Sequence, residues 1–220
     1  MGFVITLDGP AGAGKSSVAK RLAKRIKFRY LDTGALYRAI AYFMDQNGIA
    51  PQESERLTEY LGLIRVCLNE NGVFVNGEDV TALIRTTRVD EVVSAYSAIK
   101  SVRDALLGLQ RDQANHGDLV TDGRDMGTVV FPYADVKFFL TATPETRADR
   151  RYRELLRKGE IVLYNEVLTQ IRERDRIDAG REIAPLKEPI GSIHVETSYM
   201  TEEEVVDQLT AIVRSRMTQE

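Results

Sequence analysis

The stretch Gly9-Pro10-Ala11-Gly12-Ala13-Gly14-Lys15-Ser16 constrains this chain more than any other. It matches the pattern G-x-x-x-x-G-K-[ST], follows the β-rich run Phe3–Leu7, and precedes a helical stretch reaching about Lys27. Glycines let successive backbone N–H groups turn inward around phosphate oxygens, and the helix N-terminus adds partial positive charge. In such a P-loop, which spans residues 9–17 here, Lys15 reaches the β- and γ-phosphates of ATP. The Ser16 hydroxyl holds Mg²⁺, and Ser17 adds a donor in the first helical turn. The motif by itself does not separate kinases from GTPases or motor ATPases. A guanine-reading N-K-x-D or T-K-x-D stretch is absent, and 220 residues is short for a helicase or transporter core. A small P-loop kinase remains, and it needs an acceptor subsite and a lid.

The rest of the chain alternates strands and helices. Tyr30–Gly34 leads into a helix over about 35–46, and Pro51 precedes a short acidic helix. Leu63–Leu68 and Val73–Val75 read as short strands, with turn signals at Asn71-Gly72 and Asn76-Gly77, so a small antiparallel meander is expected. A long helical region follows to about Asn115. Strands are expected at Leu119–Thr121, Val136–Leu140 and Ile193–Val195. Thr143-Pro144-Glu145 starts an arginine-rich helical stretch over roughly 145–180, and Thr201–Glu204 is a capping box opening the last helix. This rhythm predicts an α/β fold: a P-loop NTPase core with a parallel sheet flanked by helices, an inserted small antiparallel subdomain, and an arginine-rich helical lid. One kinase domain over 1–220 is expected, with core segments at about 1–60, 85–145 and 185–220. The insertion falls at about 61–84 and the lid at about 146–184.

Composition narrows the partners. A formal net charge of -3 gives no general affinity for a nucleic acid backbone. Nothing approaches 18 consecutive apolar residues, and the N-terminus reads as a strand rather than a leader, so no membrane association is expected. The single cysteine, Cys67, forms no internal disulfide, and a reducing cytoplasm is the simplest home.

The segment Thr121-Asp122-Gly123-Arg124-Asp125-Met126-Gly127 puts opposite charges side by side at the end of an expected strand. A solvated surface turn is one reading. A polyanion site that needs both a carboxylate and a guanidinium is the other. Asp122 stays open between a role near Mg²⁺ through water and a structural hydrogen bond.

Taken in order, GPAGAGKSS, YLDTGALYRA, TDGRDMGTVVFP and RERDRIDAGREIAPL resemble the bacterial cytidylate kinase family, within the P-loop nucleoside monophosphate kinases. The resemblance runs from about residue 3 to 214. It implies transfer of the γ-phosphoryl group of Mg-ATP to CMP or dCMP, and it makes the meander the insertion of the monophosphate-binding subdomain. By the same resemblance Arg38 and Arg124 grip the acceptor phosphate. Thr33, Arg103, Asp125 and Arg181 surround cytosine, Ser94, Arg174 and Asp178 meet the sugar, and Tyr37 lies beside the nucleotide. The catalytic set is then Lys15, Arg124 and Arg181, with Ser16 toward the metal and a monomer as the expected state. Thr33 stands where many members carry serine, and Ser16-Ser17 where Gly-Thr is common.

The chemistry of the bases agrees with this set. Cytosine offers a C4 amino donor, which suits Asp125 and Thr33, whereas uracil offers an acceptor there. The acceptor phosphate has a second pKa near 6 and is largely a dianion at neutral pH, so no general base is needed. His116 and His194 are expected to be structural. Of the arginines at 147, 150, 151, 153 and 157, most read as a solvated face with Asp149 and Glu154, and Arg150 and Arg157 as closest to the lid. Two other classes stay open from the residues alone: another small-molecule P-loop kinase, acting on shikimate or UMP, and a nucleotide-sensing protein without transfer.

Overall fold

A computed structural model of the chain describes residues 2–69 and 72–218. It divides into two compact units, residues 1–31 with 113–220, and residues 32–112.

The first unit is built on a parallel sheet. Its strands are β1 (Val4–Asp8), β2 (Arg29–Asp32), β6 (Leu119–Asp122), β7 (Val136–Thr141) and β8 (Ile193–Glu196), in the order β2-β6-β1-β7-β8. β1 lies in the middle and is buried along its whole length, as a central parallel strand covered on both faces must be. In register, Leu7 faces Asp122 of β6 and Asp8 faces Phe139 of β7, so both strands end in carboxylates at the same edge. Helices α1 (Lys15–Ile26) and α8 (Glu202–Met217) pack together, and Val18, Leu22, Val206 and Leu209 join Ile5, Leu7 and Phe138 in one core. The Thr201 and Glu204 capping box does open α8. Helices α6 (Pro144–Arg157) and α7 (Tyr164–Gly180) pair through Ala148, Leu155, Val167 and Ile171. Thr143 caps α6, with Pro144 at its first position.

The second unit holds α2 (Thr33–Gln46), α3 (Glu55–Leu63), α4 (Thr87–Tyr96) and α5 (Lys100–Asp112). It also holds an antiparallel sheet of β3 (Val66–Asn69), β4 (Gly72–Val75) and β5 (Glu78–Asp79). Cys67 faces Phe74, and Phe74 faces Asp79. The turn at Asn76-Gly77 has positive φ at both residues, 52 and 88, the primed geometry that suits a tight hairpin. The expected turn at Asn71-Gly72 involves Asn71, which lies outside the described residues. Val73, Val75 and Val80 close over Ala35 and Ala39 of α2.

The expected parallel sheet, the meander and the flanking helices are all present. Four boundaries differ. Leu63 closes α3 instead of opening a strand, and the helical region after the meander breaks at Ser97–Ile99 into α4 and α5. The arginine-rich stretch breaks at residues 158–163 into α6 and α7, and Arg29–Asp32 is a strand.

Candidate active site

Gly9 follows β1 with φ 145, and a side chain there would put its Cβ 2.0 Å from the Leu140 carbonyl oxygen. Only glycine lets the P-loop leave the sheet at this point. The loop then enters α1, whose first residue is Lys15. This side chain is buried at 4% exposure and donates from Nζ to the Pro10 carbonyl at 2.7 Å. Burial and the nearby Arg124 guanidinium hold its ammonium well below the ordinary lysine range, against the opposing pull of Asp122, Asp178 and Asp8. A phosphate anion would relieve both burdens.

Ser16 and Ser17 are exposed in the first turn of α1. The Ser16 hydroxyl donates to Asp122 Oδ2 at 2.7 Å, and the Tyr30 hydroxyl donates to Asp122 Oδ1 at 2.7 Å. Of the two roles left open for Asp122, the hydrogen bond is what the structure shows. A hydroxyl backed by a carboxylate is a hard oxygen set that suits Mg²⁺, with phosphate oxygens and water completing the shell. Among the described residues no group of three or more His, Cys, Asp or Glu side chains could hold a metal without such help.

Arg124 and Asp125 follow the end of β6. Arg124 donates from Nε to Asp178 Oδ2 at 2.8 Å and from Nη1 to the Gly123 carbonyl at 3.3 Å. Arg181 pairs with the other oxygen of Asp178, so one carboxylate holds two guanidiniums. Burial alone would raise the Asp178 carboxyl, but Arg124, Arg181 and Arg174 outweigh it and hold it below the usual range. Asp125 is buried at 2% exposure, close enough to Asp8 to raise the latter's pKa.

Within the second unit, Thr33, Tyr37 and Arg38 lie on the first turns of α2, Ser94 on α4 and Arg103 on α5. Asp32 caps α2 by accepting from the Ala35 amide at 2.9 Å. The Arg103 guanidinium lies over the Tyr37 ring, 5.3 Å from its centroid, and donates to the Ser97 carbonyl at 2.9 Å. Arg38 pairs with Asp90 at 2.5 Å. Thr33 and Ser94 are both buried.

The arginines of α6 divide. Arg153 pairs with Asp149 and Arg151 with Glu154, on a solvated helix face. Arg157 donates back to its own helix at Arg153. Arg150 donates to the Thr197 carbonyl at 2.6 Å, and a Cβ placed on Gly14 would lie 3.9 Å from its Nη1. Arg147 is different: at 3% exposure it donates to the carbonyls of Ala142 and Ala11 and to both oxygens of Asp175. It ties the P-loop to α7.

Sequence reasoning passed over Asp8, Tyr30, Arg147 and Asp175. A carboxylate directly before the phosphate motif, at the end of an otherwise apolar strand, was the available signal for Asp8. His194 contacts Thr141 and Glu188 on an exposed surface. No helix among the described residues is long and apolar enough to cross a membrane.

Residues 5–215 match the family model described as cytidylate kinase. The chain is 44% identical over 220 residues to a cytidylate kinase of Clostridium tetani, covering 100% of this chain and 97% of that protein. It is 48% identical over 210 residues to a cytidylate kinase of Caldanaerobacter subterraneus subsp. tengcongensis, covering 96% and 94%. Among solved structures, an uncharacterized protein from Eubacterium ventriosum shares the fold at a TM-score of 0.54 and 13% identity, over 97% of this chain and 99% of that one.

Proposed function

The chain belongs to the cytidylate kinase family, and from that premise we propose that it transfers the γ-phosphoryl group of ATP to CMP or dCMP, giving ADP and CDP or dCDP. The observation that carries this reading is that Asp178 holds Arg124 and Arg181 together in the unit that carries the P-loop lysine, so the charges assigned here to the acceptor and to the donor belong to one unit. A sensor that only bound ATP would have no use for that convergence.

Residues 9–17 wrap the phosphates of ATP, and Lys15 neutralises charge on the transferred group. Mg²⁺ bound with ATP supplies further neutralisation there, and Ser16, oriented by Asp122, is the side chain that would hold it. Arg38 and Arg124 grip the CMP phosphate in line with the γ-phosphorus. That phosphate is already a nucleophilic dianion near neutral pH, so no side chain has to take a proton. Arg181 joins Lys15 and Arg124 as the transition-state cations.

Asp125 and Thr33 accept from the cytosine amino group, while Arg103 and Arg181 donate to its ring acceptors. Uracil would set an oxygen against a buried carboxylate, a mismatch of roughly 1–3 kcal/mol per group. Ser94, Arg174 and Asp178 meet the sugar, and Tyr37 lies beside the nucleotide. We assign about 61–84 to the monophosphate-binding insertion and about 146–184 to a lid. Lid closure, with Arg150 beside Gly14 of the P-loop, excludes water and suppresses ATP hydrolysis. A monomeric cytoplasmic enzyme without nucleic-acid partners completes the proposal.

The test is ADP release measured across CMP, dCMP, UMP, dUMP, AMP and GMP. CMP and dCMP should exceed UMP in kcat/KM by roughly 10–100-fold. Equal use of UMP, or transfer to a non-nucleotide alcohol, would overturn the assignment. Tight binding of both nucleotides without turnover would support a sensor instead.

A further inference from the structure

Asp8 is the last residue of β1 and is fully buried in the sheet, opposite Phe139. An ionisable side chain is costly there unless its oxygens are occupied. Both are. Oδ1 accepts from the Met126 amide at 2.8 Å, and Oδ2 accepts from the Gly127 amide at 2.7 Å.

Those two amides open a short π-helical turn, Met126–Val130, in which Val130 N donates to Asp125 O at 3.2 Å and Phe131 N to Met126 O at 2.6 Å. The first amides of a helical turn have no acceptor within it. The carboxylate of Asp8 supplies that acceptor from 118 and 119 residues away.

A second contact presses the same segment onto the sheet. A Cβ added to Gly127 would lie 2.9 Å from Pro189 Cγ and 3.0 Å from Thr6 Oγ1 on β1. The segment therefore leaves no room for a side chain at Gly127. Directly before these amides stand Arg124 and Asp125, and directly after Asp8 in the chain stands Gly9, the first residue of the P-loop.

We propose that Asp8 is a positioning residue for acceptor recognition: by holding the Met126 and Gly127 amides it sets the Asp125 carboxylate and the Arg124 guanidinium at a fixed distance from the P-loop. The inference rests on the reading above that Asp125 faces the cytosine amino group. Asp8 itself is buried behind the segment, so it acts through Asp125 and Arg124 and not on the substrate.

Asp8→Asn tests this. The amide keeps the shape and one acceptor oxygen but turns an NH₂ toward the second backbone donor, which displaces the segment. The ratio of kcat/KM for CMP to that for UMP should fall by roughly tenfold, with the KM for ATP held within about twofold of the parent. A purely structural role would lower thermal stability and leave that ratio alone, and this result would overturn the proposal. Gly127→Ala displaces the same segment from its other side and should lower the ratio likewise; it carries the test should the Asp8 variant not accumulate folded. Asp125→Ala separates the two levels. If it leaves the ratio unchanged, the placement of Asp125 beside cytosine is wrong. If it lowers the ratio while folded Asp8→Asn does not, the role of Asp8 is wrong.

Discussion

The Ser16 hydroxyl donates to Asp122 across 106 residues of sequence, at 2.7 Å, because β1 and β6 are neighbours and end at the same edge of the sheet. Tyr30 occupies the other oxygen of that carboxylate. Asp122 thus orients both the serine at the head of α1 and the tyrosine of β2.

Asp122→Ala should lower turnover by roughly 10–100-fold, the usual cost of losing a residue that orients a metal-side ligand. The loss should shrink as Mg²⁺ is raised, since the weakened step is retention of the metal with ATP. Rates of ADP release titrated against Mg²⁺ check this. An unchanged Mg²⁺ dependence would assign Asp122 to folding alone. Tyr30→Phe, which removes one donor and keeps the ring, should show the same trend more weakly.

What the sequence disclosed and what it hid divide along physical lines. The P-loop was legible because glycine spacing, lysine and flanking periodicity are all local. The Asn76-Gly77 turn was legible for the same reason. β2 was passed over because Arg29–Asp32 offers only Tyr30 and Leu31 as apolar residues, too short a run for alternation to register. Arg147 looked like its neighbours at 150, 151, 153 and 157. Only Asp175 and the Ala11 carbonyl, distant in sequence, make it buried. Asp8 was hidden by its neighbours: Asp-Gly-Pro reads as a turn, and the amides it serves lie more than a hundred residues on. The charged pair at 124–125 was visible as an anomaly. Its partner Asp178 entered only through family resemblance, and the hydrogen bond to Arg124 became visible in the fold.

Arg147→Lys should destabilise the protein by about 2–4 kcal/mol, because a lysine cannot reproduce the fork that spans Asp175 and two backbone carbonyls. Urea unfolding measures the loss. The equivalent change at Arg153, an exposed pair with Asp149, should stay within about 0.5 kcal/mol. Similar losses at both positions would contradict the tie between the P-loop and α7.

Asp178→Ala frees two guanidiniums that its carboxylate now holds. On the proposed assignment the defect belongs to the nucleoside end, so the KM for CMP should rise by at least about tenfold while the KM for ATP stays near the parent value. Arg181→Met should share the rise in KM for CMP and also lower kcat, because Arg181 is assigned to the transition state as well. A defect confined to ATP would place both residues on the donor side.

Asp8 carries a consequence for stability with pH. Burial raises its carboxyl to about 6, with Asp125 adding to the shift and the Met126 and Gly127 amides and Lys15 opposing it. The unperturbed value is 3.8, so the folded chain binds this proton more tightly than the unfolded chain does. The sign follows directly. Well below the unfolded value of 3.8 both states are protonated and there is no penalty; as pH rises from there through about 6 the folded state must ionise a buried group and loses stability. Between pH 4.5 and 7.5 the shift amounts to about 2 kcal/mol. Asp8→Asn carries no titrating group at this position. Urea unfolding of both proteins at those two pH values should therefore show the parent losing about 2 kcal/mol relative to the variant, whatever the variant's own offset from the altered hydrogen bond. Parallel pH curves, or a parent that gains on the variant as pH rises, would mean that the amides of Met126 and Gly127 fully offset the burial of this carboxylate.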